Sequence, residues 1–160
     1  MVEIDITRMA AGLHEVHLRP SVDALGLDPD AFSDIEAVVR LDVGGNQILA
    51  RFTVAGSVTL VCDRSLVQYQ QPVRGEFTVV YFSVDGESIE ENETLRYLAP
   101  GANEIDVTDV VRDTILLAIP LRHVAPEARD EELVLSYGPG GDDPLIDSRW
   151  EALKKLKDNS

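Results

Sequence analysis

The chain has 160 residues, enough for one domain that buries roughly 70% of its unfolded surface without a disulfide or metal staple. Hydrophobic residues make up 44% of it, which excludes a disordered chain, and no apolar run approaches the ~20 residues of a membrane span. Twenty-nine acids against 14 bases leave a net charge of −15, a surface that repels phosphate backbones and suits a cationic protein partner. One cysteine cannot form an internal disulfide, and the opening Met1–Ile6 carries acids and no basic-then-apolar leader. A cytoplasmic setting is therefore expected, with no membrane contact.

Residues 2–7 alternate Val2, Ile4, Ile6 against Glu3, Asp5, Thr7, the period of a strand, and Leu13–Leu18 offers a second one. Two prolines, a glycine and several aspartates make 20–32 a loop or short helical turn. From Ile35, alternation of Ala37, Val39, Leu41 and Val43 predicts a strand that Gly44, Gly45 and Asn46 turn back as a hairpin, with positive-φ residues in the turn. In the return strand Ile48, Ala50, Phe52, Val54, Gly56, Val58, Leu60 and Cys62 share one parity. Straight, it would run about 50 Å, too long for a domain of this size, so Gly56 is expected to bend or split it.

A loop Asp63–Gln71 leads to a further strand, Pro72–Ser83, with Val73, Phe77, Val79 and Tyr81 on one side. Residues 84–104 are weakly patterned, with a turn at Asp85-Gly86 and a possible short strand at Ser88–Glu91. Val107, Val110, Val111, Thr114, Ile115 and Ala118 then fall on one helical face, which Asp106 or Thr108 can cap and Pro120 ends. Leu133–Tyr137 reads as a short strand, 138–147 as a flexible Gly/Pro linker, and 148–160 as a tail whose helix runs Ser148–Lys157. The sum is an α+β fold: one domain over 1–137, built on a curved antiparallel sheet or open barrel, with one main amphipathic helix and a short C-terminal helix.

The residues that could carry chemistry are few. Cys62 shares the parity of Leu60 and Val58, which makes it a small core hydrophobe, and a zinc site needs four ligands. Arg64, just past the strand, can lock the following loop through a carbonyl or carboxylate, or meet a partner. In a strand His14 and His17 point to opposite faces and cannot chelate together, as they could on a helix, and with His123 in a loop the three are poor evidence for a metal or a catalytic base. Trp150, Leu153 and Leu156 make an apolar stripe flanked by Lys154, Lys155 and Lys157; it docks on its own domain or serves as a partner-binding helix. Acids concentrate in two stretches: eight with one base between Asp85 and Asp109, and seven with one base between Glu127 and Asp147.

The run Gly56-Ser-Val-Thr-Leu-Val-Cys-Asp-Arg-Ser-Leu66 resembles the Cys-x-Arg-Cys-Leu signature of the YceD family, the large ribosomal RNA subunit accumulation proteins. Cys62, Arg64 and Leu66 match it, whereas Ser65 stands where the second cysteine falls. The segment Asn103–Pro120 and the end Asp147-Ser-Arg-Trp-Glu-Ala-Leu-Lys-Lys-Leu156 are similar to the family as well. Some relatives carry a second cysteine pair in the region that corresponds to 122–142, which contains none here.

The resemblance implies a non-enzymatic factor for large-subunit biogenesis and ribosomal RNA accumulation, with no cofactor and no metal. With the charge, it points to a basic ribosomal protein or assembly factor as partner, and to RNA reached only indirectly; the acidic run 85–109 would then mimic RNA charge. Two other readings stand beside it. One is direct RNA binding through Arg64, Arg74 and the three lysines; the other is an unrelated ligand-binding α+β domain.

Overall fold

Three long stretches alternate apolar and polar residues, and pairing them edge to edge gathers the buried apolar residues on one face. The computed structural model describes residues 1–83 and 92–128. Its elements are strands β1 (Glu3–Asp5), β2 (Gly12–Leu18), β3 (Phe32–Val43), β4 (Gln47–Val61), β5 (Gln68–Phe82), β6 (Leu95–Tyr97) and β7 (Glu104–Asp106), and helix α1 (Thr108–Leu117). Short 3-10 turns cover Asp23–Leu25 and Pro126–Ala128. The described residues lie within one unit, Met1–Arg129. The expected strand Leu133–Tyr137, linker 138–147 and terminal helix, and the turn and strand expected within 84–91, lie outside the described residues.

The main sheet has the order β2-β3-β4-β5-β6, and β1 pairs with β7 in a second, two-stranded sheet. Val16, Val39, Phe52 and Phe77 stand side by side across β2–β5, and the next row is Leu18, Ala37, Val54 and Gly75. Val39, Ala50, Phe52, Val54 and Val79 are at most 1% exposed, because α1 and the Asp23–Leu25 turn complete the core with Val111, Ile115 and Leu25. The result is the expected α+β fold, with a curved sheet that does not close.

Four details differ from the sequence reading. The β3–β4 hairpin closes through Gly44 N–H donating to Gln47 O (2.8 Å), and none of Gly44, Gly45 or Asn46 takes a positive φ. Strand β4 runs unbroken through Gly56, in constant register with β5 from Gln47 to Val61. The irregularity lies opposite, in β3, where the register shifts between Ser33 and Glu36 and Asp34 takes φ 53°. Strand β5 begins at Gln68, so the connecting loop is shorter than expected, and Pro72 sits inside the strand. It is tolerated because its missing N–H faces away from β4, on an edge with no neighbouring strand there among the described residues.

Strands β6 and β7 are the other departure, and β6 pairs with β5 in parallel, in a sheet otherwise antiparallel. Each is three residues long, too short for alternation to register. Strand β7 leads directly into α1. Asp106 Oδ1 accepts from the Thr108 N–H (2.9 Å) and hydroxyl (2.6 Å), and Thr108 Oγ accepts in turn from Val2 N–H (2.7 Å). Asp106 therefore fastens the helix start as expected, although Val107 occupies the cap position itself.

The phenol oxygen of Tyr81 is buried with no hydrogen-bond partner among the described residues, and burial pushes its pKa up to about 12. Removing an unsatisfied hydroxyl while keeping the ring relieves a desolvation cost. Tyr81→Phe is expected to leave stability unchanged or raise it by up to ~1 kcal/mol in chemical denaturation. A clear loss would mean that the hydroxyl has a partner.

Candidate interaction site

The matched signature lies where β4 hands over to β5. Cys62 N–H donates to Val67 O and Leu66 N–H to Cys62 O, both at 2.9 Å, so 62–67 is a tight closed loop. Leu66 takes φ 57°, in the left-handed region, and its side chain is 78% exposed beside Val67 at 60%. The loop thus presents two apolar side chains outward, while Cys62 is fully buried.

A distant segment closes over this loop. Asp63 N–H donates to His123 O (2.7 Å), and His123 N–H returns a bond to Asp63 Oδ2 (2.8 Å). Arg64 Nη1 donates to Ala128 O at 2.8 Å. The Cys62 sulfur accepts from Ala125 N–H at 3.4 Å. Cys62, Ala125 and Ala128 pack with Tyr69 and Val124 as a small cluster apart from the main core. Cys62 is therefore a buried hydrophobe that anchors a separate clasp rather than extending the Val58–Leu60 row. Leu121, fully exposed on the same segment, adds a further apolar side chain to this end of the molecule.

The clasp changes the thiol. The Ser65 hydroxyl and N–H lower the Cys62 pKa most, the N–H groups of Ala125 and Arg64 add to this, and burial opposes them; the thiol settles at about 7 against an ordinary 9.0. A group depressed in the native state binds fewer protons there than when unfolded. Its contribution is then fully present above pH ~9 and is lost as pH falls through about 7. Stability is expected to rise across that window, and Cys62→Ala should flatten the rise. An identical slope in the variant, read by denaturation at stepped pH, would remove the thiolate from the account.

A zinc cage does not fit these residues. The position of a second thiolate is taken by the neutral hydroxyl of Ser65, and the Cys62 sulfur accepts from the Ala125 N–H. Among the described residues no three His, Cys, Asp or Glu side chains converge. His14 binds Ala10 O and His17 binds Glu15, on opposite faces of β2.

On the open face of the sheet, Arg40 and Arg51 stand opposite each other, and Arg40 Nε is tied to Glu15 at 2.7 Å. Arg74 lies on the same face beside Glu76 (3.4 Å), away from the clasp that holds Arg64. The two arginines of the direct RNA-binding reading thus face different partners. Trp150, Leu153, Lys154 and Lys155 lie outside the described residues. The ties to His123, Ala125 and Ala128 left no mark in the sequence, because backbone donors and carbonyls some 60 residues away carry no side-chain signature.

These features define an α+β protein whose marked residues build a structural clasp with apolar side chains turned outward. The chain belongs to the YceD family: residues 50–157, about two thirds of it, match the family described as large ribosomal RNA subunit accumulation protein YceD. It is 26% identical over 141 residues to the uncharacterized protein YlbN of Bacillus subtilis (strain 168), an alignment covering 82% of this chain and 79% of that one. No solved structure matches it. No helix among the described residues is long and apolar enough to cross a membrane.

Proposed function

We propose that this chain is a non-enzymatic, cytoplasmic factor for large ribosomal subunit biogenesis that sustains ribosomal RNA accumulation through a basic protein partner and touches the RNA only indirectly. The family match carries the biogenesis role. The net charge of −15 carries the choice of partner, since counterion release from RNA needs clustered lysine and arginine, and acidic stretches attract a cationic ribosomal protein or assembly factor. The apolar side chains at the clasp, Leu66, Val67 and Leu121, and the terminal residues Trp150, Leu153, Lys154 and Lys155 are the proposed contact points. Arg64 contributes by holding the clasp closed.

The test is the ratio of large- to small-subunit ribosomal RNA in a strain lacking the protein. A reduced ratio, restored by the wild-type chain, is expected. An unchanged ratio would overturn the biogenesis role.

A further inference from the structure

Strand β5 has an edge that no other described strand fully covers. Val80 N–H donates to Thr94 O and Leu98 N–H donates to Phe82 O, so the even-numbered residues of β5 turn their backbone groups away from β4. Strand β6 uses that edge only from Val80 to Phe82. At Arg74, Glu76 and Thr78 the same groups have no neighbouring strand among the described residues. The opening is bounded at one end by β6. At the other stands Pro72, which has no N–H and whose carbonyl already accepts from the Gln71 side chain (3.0 Å). Between them lies room for about five residues, roughly 17 Å at the strand rise.

An unpaired edge alone is common, and native proteins usually blunt it. Here it adjoins a groove. A cavity of about 330 Å³ lies between this edge, α1 and β6, lined by Phe77, Val110, Thr114 and Leu117, with Glu93 and Arg96 at one end. Leu117 is 80% exposed on the helix that forms its wall. A strand laid along β5 sends alternate side chains to opposite faces, so every second one enters this groove. Charge selects among occupants: Glu93 and Asp113 line the groove against one base, Arg96, on a chain of net charge −15.

Resting on the protein-partner reading above, we propose that an extended, lysine- and arginine-bearing segment of a basic protein adds as a strand to β5 over Arg74–Thr78, with apolar side chains at alternate positions seated beside Phe77 and Leu117. Backbone pairing gives the strand its direction and register, the groove selects its apolar positions, and Glu93 and Asp113 favour cationic flanks.

The test uses the full chain and two probes: large-subunit ribosomal proteins freed of RNA, and a ten-residue peptide alternating valine and lysine. The peptide's control has the same charge but N-methylated alternate amides. Hydrogen exchange at Arg74, Glu76 and Thr78 should slow when either unmodified probe binds, and the methylated peptide should have no effect. Thr78→Pro, which removes one outward N–H, and Leu117→Glu should each weaken binding about tenfold, equivalent to ~1.4 kcal/mol, with the thermal melt retained.

If the ribosomal proteins bind while these amides exchange as in the free chain and both variants bind normally, the edge is not the site, although the protein-partner reading survives. If neither probe binds, that reading fails too. Slowed exchange in the free chain, whether or not it varies with protein concentration, means that this chain or a second copy already covers the edge, and overturns the proposal.

Discussion

Replacing Phe52 with alanine should cost about 3–5 kcal/mol, the largest effect of any single truncation in the sheet. The ring is 1% exposed and sits on β4, which is paired on both sides, between Val39 and Phe77 in the same row. No flanking element can collapse into the space, because β3 and β5 are each held to β4 by ten or more register pairs. Domains of this size are stable by roughly 5–15 kcal/mol, so the loss is a large share of the total. Denaturant titration should show a lower midpoint with an unchanged slope. A loss under ~1.5 kcal/mol would mean that the row is loosely packed, contrary to the burial observed.

The second large effect is expected at Gly75. A Cβ there would lie 2.5 Å from the backbone carbonyl oxygen of Thr114, 3.0 Å from its methyl and 3.2 Å from Ala118 Cβ. A helix carbonyl cannot rotate away, so even Gly75→Ala must push α1 off the sheet. The expected cost is ~1–3 kcal/mol, and more for valine.

Gly56 provides the internal comparison. Its added Cβ would meet Ile115 Cδ1 at 2.8 Å, the end of a side chain that can change rotamer, and Ser33 O at 3.3 Å. Gly56→Ala should therefore cost less than Gly75→Ala. Without either contact, alanine in a strand interior would stabilise by roughly 0.5–1 kcal/mol, so the sign itself tests where α1 docks. Denaturation of the two variants in parallel decides it, and a stabilised Gly75→Ala would contradict the packing.

This pair of glycines also marks the boundary of what a sequence can show. Alternation over twelve to fifteen residues made β3, β4 and β5 legible, because a pleated strand with one buried face is what sustains a two-residue period over that length. The helix was legible for the same reason at a period of 3.6, and Pro120 three residues past Leu117 marked its end. Gly56 was visible as a special position, but its reason was not. A strand that seemed to need a break has instead a seat for Ile115, and the bulge was exported to Asp34 in β3. Gly75 gave no signal, since one glycine in a strand does not say which neighbour comes close.

The clasp divides in the same way. The spacing of Cys62, Arg64 and Leu66 singled out the loop, and Arg64 is indeed turned onto a carbonyl. Which carbonyl depends on a fold that brings Ala128 beside Cys62, and nothing local encodes that. Strands β6 and β7 escaped because three residues cannot show a period; β6 is defined by the long β5 beside it and β7 by the equally short β1.

Equilibrium binding separates a cationic protein partner from bare RNA. The full chain is titrated at about 0.15 M salt, where exposed charges more than roughly 8 Å apart are screened, against isolated large-subunit ribosomal RNA and against RNA-free large-subunit proteins. Saturable binding to one or more of the proteins is expected, with RNA held no more tightly than the ~10⁻⁴–10⁻⁶ M of non-specific contact. Tight, sequence-dependent binding of the RNA, lost when Lys154, Lys155 and Lys157 become alanine, would contradict it.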